Sequence, residues 1–291
     1  MKINNPVYFE MMKLGLVKKK NLFVLFPKTR DKNINVLKDK KSEIIFLEKN
    51  VINKRIYTDK PNLNYLRNLK HKKKILLKDD ERRYSMFKKI IKNKKILDYG
   101  CGWGGFLSLT NKITKINEGY ETMNICKKYI KNTYNFKMNS KKRDLYKKKF
   151  DFIFMFHVLE HIPNHLEELK FIKKLLNKNG KLIIEVPHAR DLLILNNDLI
   201  SFKKFTFWSE HLVLHSKLSL KKFLISSGYK NIKIQNYQRY NINNHLKWFL
   251  KGQPGGHETP LFKISNKTKI NYDRYLIKNN YSDTIIAIAN K

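Results

Sequence analysis

Short apolar runs alternate with helical periodicity through most of the chain. Residues 95–99 (KILDY) read as a buried strand, and 105–111 begin a helix. A second strand spans 115–120, with a helix following through Cys126 and Ile130. A weak strand near 134–138 precedes FDFIFMF (150–156), the strongest strand pattern in the chain. The helix over 164–176 sets Leu166, Leu169, Ile172 and Leu176 on one side, and GKLIIEV (180–186) is a strand stopped by Pro187. Ser216 caps a helix that ends at Gly228, a fitting left-handed residue. YKNIKIQNY (229–237) and DTIIAIA (283–289) are the last two strands. Strands alternating with helices predict an α/β fold around a mainly parallel sheet, with ligands at the strand carboxyl ends.

Upstream the pattern weakens. Residues 1–78 read as a small N-terminal extension in which INVLKDKKSEIIFL (34–47) forms a β-hairpin turning at Asp39 to Lys41. From Asp79, DDERRYSMFKKIIKN is a helix capped by Asp79 or Asp80, with Phe87, Ile90 and Ile91 on one face. The main domain is therefore 79–291. Between its last two strands lies an insertion, 239–282, too long for a passive connection.

Composition adds bounds. Two cysteines, Cys101 and Cys126, give neither a disulfide framework nor a zinc spacing, which fits a reducing, cytoplasmic setting. The longest early apolar run, 22–26, is too short for a signal core or a membrane span. The formal charge is +38, but nine of the 62 basic residues are arginines, and the lysines are scattered. Arginine is the usual reader of phosphates and bases. The charge therefore reads first as composition bias. An anionic partner, either RNA or a lipid surface met peripherally, is the second reading.

The chemistry starts at KILDYGCGWGG (95–105). Glycines permit the turn and let a ligand approach bare backbone, and the next helix offers free N–H groups. Gly100, Gly102 and Gly105 equally satisfy a dinucleotide fingerprint. Asp98, two residues earlier, can reach a ligand amine. Glu121, 23 residues after Asp98, ends the second strand, where an acid can accept from both ribose hydroxyls.

ILDYGCGWGGFL (96–107), GYETM (119–123), FDFIFMFHVLEHIPN (150–164), LLNKNGKLIIEVP (175–187) and SLKKFLISSGYKNIKI (219–234) together resemble the class I S-adenosylmethionine-dependent methyltransferases. The resemblance implies a Rossmann-like seven-stranded sheet, mainly parallel, with a C-terminal antiparallel hairpin. It implies S-adenosylmethionine as cofactor. Gly100, Gly102 and Gly104 would lie under its methionine part, with Asp98 positioning that end. Glu121 would hold the ribose, and the backbone at Phe156 and His157 would line the site. Asn139 would approach the adenine.

HVLEHIP (157–163) looks like the small-molecule O- and C-methyltransferases. Ubiquinone-biosynthesis members use Glu, Glu and His as metal ligands. Glu160 and His161 match, but His157 replaces the first acid, so no metal is expected. An acceptor hydroxyl must lose its proton, a task suited to histidine. His161 and His211 rank first, then His157, with His188 and His215 also candidates. In the insertion, His245, Trp248, Lys251 and His257, with His215, suit a sugar acceptor. The insertion and SDTIIAIANK (282–291) resemble methyltransferases of bacterial surface-polysaccharide synthesis. O-methylation of a sugar nucleotide or glycan is the leading expectation. RNA methylation and a non-catalytic cofactor-binding subunit are the alternatives.

Overall fold

The structure, a computed structural model, describes residues 3–51, 76–134 and 136–291. The helices are α1 (Pro6–Lys13), α2 (Lys78–Ile91), α3 (Gly105–Thr110), α4 (Asn124–Thr133), α5 (His165–Leu175), α6 (Leu192–Leu195), α7 (Ile200–Thr206), α8 (Lys217–Ser226), α9 (Ile242–Lys251) and α10 (Asn266–Lys278). The strands are β1 (Leu22–Phe26), β2 (Val36–Asp39), β3 (Ile45–Leu47), β4 (Lys95–Tyr99), β5 (Ile116–Tyr120), β6 (Lys137–Asn139), β7 (Phe150–Phe156), β8 (Leu176–Pro187), β9 (Val213–Leu214), β10 (Lys230–Tyr237) and β11 (Thr284–Asn290).

The main sheet has seven strands in the order β10-β11-β8-β7-β4-β5-β6. β4, β5, β6, β7 and β8 run parallel; β10–β11 and β11–β8 are antiparallel. Leu182, Ile183, Ile184 and Val186 are all buried. A strand covered on both faces needs such a continuous apolar run rather than alternation. The chain reverses its order of placement between β4 and β7, so their carboxyl ends open the crevice where ligands sit.

A second, four-stranded sheet runs β1-β2-β3-β9. The expected 34–47 hairpin is β2–β3, but β3 also pairs with β9, Ile45 opposite Leu214. The described part of the N-terminal extension is thus stitched into the main domain. Val7, Met11 and Phe46 share one core with Leu97, Ile153 and Ile184. Asn5, the cap of α1, donates to Leu47 O and Leu212 O across that seam. Residues 52–75 of the extension lie outside the described residues, as does Asn135 in the weak third strand.

Three details differ from expectation. Leu77, not Asp79 or Asp80, occupies the N-cap of α2; Asp80 accepts from Leu77 N, and Asp79 pairs with Arg82 and Arg239. Ile90 faces solvent, while Phe87 and Ile91 are buried. β8 begins at Leu176, before Gly180. Gly228 does take the left-handed conformation after α8, at φ 83°. Among the described residues no helix is long and apolar enough to cross a membrane.

Candidate active site

The glycine turn leaves β4 and is tied to β5, since Gly100 N and Cys101 N both donate to Tyr120 O, at 2.8 and 3.1 Å. Gly100 (φ 83°) and Gly102 (φ 52°) are left-handed, a conformation that favours glycine. A Cβ on Gly100 would lie 2.5 Å from Val158 Cγ2, whereas one on Gly102 would meet nothing within 4 Å. The backbone therefore packs tightly below and opens above, where a ligand can reach it. Gly104, also left-handed, starts α3.

Two acids flank the turn. Glu121 is buried; its Oε2 accepts from Gly102 N (2.9 Å), and its Oε1 from Thr122 N and Met123 N (2.6 and 2.8 Å). Burial still raises its pKa. Asp98 is 3% exposed, and among the described residues its carboxyl has no hydrogen-bond partner. Burial, opposed by Arg83 and reinforced by Asp80 and Glu121, pushes it up to about 8. An orphaned acid beside open backbone fits the ammonium end of S-adenosylmethionine. Glu121 is held in place by three backbone N–H groups. Asn139 is committed elsewhere: it donates to Glu118 and Gly119 O and accepts from Lys148.

At the end of β7, Phe156 is buried against Phe106 and Phe87, and His157 follows with φ 55°. That backbone is strained for a residue with a Cβ and is held by its surroundings. His157 Nδ1 lies 3.1 Å from Glu160 Oε1; its Nε2 lies 3.0 Å from Arg239 Nη1 and 3.2 Å from Glu185 Oε1. Gaining a proton would exchange the Arg239 bond for one to Glu185. Burial and Arg239 lower the pKa of His157, but its bonds to Glu160 and Glu185 outweigh them and the net shift is upward. Glu185 also accepts two bonds from Arg82 (3.0 and 2.7 Å) and one from Arg83 (2.7 Å). Helix α2 is thereby clamped over the crevice.

Glu160 is fully buried, with its Oε2 sealed and unpartnered among the described residues. Burial would raise its pKa; the His157 bond and the imidazoles of His161 and His211 win and hold it at about 2. His161 Nδ1 donates to Glu210 O at 2.9 Å. Burial first, then His161, drives His211 down to about 3, so its imidazole is neutral. One ligand atom from each of Glu160, His161 and His211 lies within 4.8 Å of the others. Two imidazoles and a carboxylate are a donor set that suits a transition-metal ion, and the structure adds His211 to the Glu160–His161 pair.

Beyond His157 lies a cleft of about 470 Å³. Its walls come from the end of β8 (Pro187, His188), the α6–α7 region (Leu193, Ile194, Phe202, Phe205) and His211. The insertion roofs it with His245, Trp248, Gly255 and His257. Of the expected acceptor residues, His245, Trp248 and His257 meet here. Lys251 is exposed and off the lining. His215 is buried elsewhere, its Nε2 3.1 Å from His165 Nε2 and its Nδ1 3.1 Å from Ser219 Oγ, packed on Phe223. Of the expected catalytic histidines, His157, His188 and His211 line the cleft and His161 stands behind His211, ring centres 4.8 Å apart. Sequence reasoning missed Arg239, Asp191, Tyr240 and Asp283. A usable signal existed for Arg239: it is one of nine arginines and opens the insertion.

The family profile described as "Methyltransferase domain" matches residues 69–234. An uncharacterized protein of Methanocaldococcus jannaschii is 32% identical over 149 residues, covering 50% of this chain and 60% of that protein's length. A ubiquinone biosynthesis O-methyltransferase of Pelagibacter ubique is 29% identical over 229 residues, 75% of this chain and 88% of that one. Among solved structures, a SAM-dependent methyltransferase from Archaeoglobus fulgidus superposes with a TM-score of 0.52 at 18% identity, over 80% of this chain and all of that one. A possible histamine N-methyltransferase from Thermotoga maritima gives 0.50 at 14% identity, over 82% and 97%. Those two structures share the fold. The profile covers more than half of the chain, and the chain accordingly belongs to the methyltransferase-domain family of enzymes, whose cofactor is S-adenosylmethionine.

Proposed function

We propose that the protein transfers a methyl group from S-adenosylmethionine to a hydroxyl of a small acceptor held in the 470 Å³ cleft. The observation that carries this is the seam at His157: one residue directly follows β7, the strand beside β4 and its glycine turn, and also lines the cleft. The cofactor supplies an electrophilic methyl on a sulfonium. Asp98 binds the ammonium end, Glu121 the ribose hydroxyls, and the Gly102 backbone the chain between them. The roof over the cleft excludes water and fixes the acceptor, and alignment of this kind contributes about 7–11 kcal/mol.

His211 is the best-placed proton acceptor. It lines the cleft, and among the described residues its ring nitrogens have no hydrogen-bond partner, whereas both nitrogens of His157 are engaged. Its low pKa makes it a weak base, so its contribution falls at the low end of ~10²–10⁴-fold. Oxygen as the receiving atom gains support from the Pelagibacter relative, named an O-methyltransferase. A glycan or sugar acceptor is supported by the aromatic faces of Trp248 and Tyr240 beside His245, His257 and Asp283. A nucleotide-linked sugar or an RNA gains nothing from the lining, which among the described residues holds no lysine. We place the reaction in the cytoplasm, on the two buried, unpaired cysteines.

The test is calorimetry with S-adenosylmethionine and S-adenosylhomocysteine, followed by radiolabelled methyl transfer to hydroxylated glycans. Binding of both compounds and label incorporation that falls in His211→Ala are expected. No binding of either compound to folded protein ends the proposal.

A further inference from the structure

The acceptor cleft is acid-lined in a strongly basic protein. The chain has 62 Lys and Arg against 24 Asp and Glu. Histidines aside, the charged residues lining the cleft among the described residues are Asp191, Glu258, Asp283 and a single cation, Arg239. Arg239 is already engaged by Asp79 and His157. Asp283 is satisfied by Gln238 Nε2 (3.0 Å), Arg239 N (3.1 Å) and Tyr240 N (3.0 Å).

Asp191 is not satisfied. It is 7% exposed, and its Oδ1 accepts from Leu193 N at 2.9 Å as the cap of α6. Its other oxygen has no hydrogen-bond partner among the described residues and is not among the sealed buried atoms, so it opens on the cleft that Asp191 lines. The titratable groups facing it are Asp283, which precedes β11, and Tyr272 on α10, whose hydroxyl bonds His245 Nδ1. None brings a positive charge. Burial and then Asp283 push the Asp191 carboxyl up to about 8. A buried carboxyl with one oxygen unpartnered and no counter-charge is costly to ionise, and a cation relieves that cost most.

We propose, building on the methyltransferase reading, that Asp191 anchors a protonated amine on the hydroxylated acceptor. The acceptor class is then an amino alcohol or amino sugar. Its apolar part lies against Leu193, Ile194, Phe202 and Trp248, and its amine is held at Asp191. The same acids disfavour a phosphorylated acceptor.

Calorimetry with saturating S-adenosylhomocysteine tests this with matched probes: tyramine against 4-(2-hydroxyethyl)phenol, and glucosamine against glucose. Wild-type protein should bind each amine at least tenfold more tightly than its hydroxyl counterpart. Asp191→Asn keeps the capping oxygen, so it should fold, retain S-adenosylhomocysteine affinity and lose the amine preference. In unmodified protein the preference should fade as pH falls below about 8, where Asp191 takes up its proton. Equal binding of amine and alcohol, a preference that survives in Asp191→Asn, or no amine binding beside bound S-adenosylhomocysteine overturns the anchor alone. Failure to bind S-adenosylhomocysteine overturns the anchor together with the methyltransferase reading.

Discussion

The proposed cofactor end and the proposed acceptor cleft meet at His157 yet are built in opposite ways. The cofactor end is local: Asp98, the glycine turn and Glu121 lie within one β4–α3–β5 unit, and backbone N–H groups of that unit hold Glu121. The cleft is assembled from residues as far apart as His157 and Thr284. Its roof is a helical insertion between antiparallel partners β10 and β11. A local site is set once its strand and turn form. An assembled one depends on long-range packing, so each should fail by its own kind of substitution.

The largest such effect is expected at Trp248. It is 3% exposed, with ring centres 5.1 Å from both Phe202 and Phe205, and it belongs to the core that joins the roof to β2 and β3. Trp248→Ala should cost about 3–5 kcal/mol of stability. Thermal unfolding reports the loss, and S-adenosylhomocysteine affinity in the folded protein should stay within about twofold. A matching loss of affinity would show that the regions are coupled rather than independent. The converse substitution, Glu121→Ala, would on the proposed reading remove two charge-assisted bonds to the ribose, each worth about 1.5 kcal/mol at the low end. Cofactor affinity should fall roughly 100-fold by calorimetry, with acceptor-probe binding to the cleft retained.

This division also explains what the sequence made legible. β4, β5, β7, β8 and the terminal hairpin carry their own apolar runs, and Asp98 and Glu121 stand at fixed distances from the glycines. Their local geometry is enough to read them. α1 and the pairing of β3 with β9 were invisible, because nothing in residues 6–13 or 213–214 names its partner. His215 has the composition of an acceptor ligand, yet packing turns it toward His165 and Ser219. Asp191 drew no reading from the sequence. Only the folded roof makes it a buried carboxyl facing a cleft. Residue type announces chemistry; long-range packing decides which chemistry is used.

Gly256 sharpens the comparison at the roof. A Cβ there would lie 2.2 Å from Asn243 O and 2.8 Å from Asn244 Cα, both backbone atoms that cannot swing aside. Gly256→Ala should lift the 254–258 strap from the start of α9 at a cost of about 1–3 kcal/mol. Faster amide exchange confined to that strap and residues 243–245, with cofactor affinity unchanged, is the expected pattern. Unchanged exchange would mean that the strap is not seated through this contact.

The cofactor end is distinguished by pH. In the free protein Asp98 holds its proton up to about 8. The unfolded chain releases it near 3.9. The folded carboxyl pKa is raised, so this group stabilises the free fold at low pH and loses that contribution as pH climbs toward about 8. A bound ammonium reverses the sign, because it holds the carboxyl ionised. Below about 8 binding must then displace a proton, and affinity should fall as pH is lowered, by at most about tenfold per unit, or ~1.4 kcal/mol. Asp98→Asn should bind more weakly at pH 8 and show a flatter profile. S-adenosylhomocysteine titrations between pH 6 and 9 supply the measurement. An unchanged slope in Asp98→Asn would move the titrating group to Glu121, whose pKa is also raised by burial and which lies across the same turn.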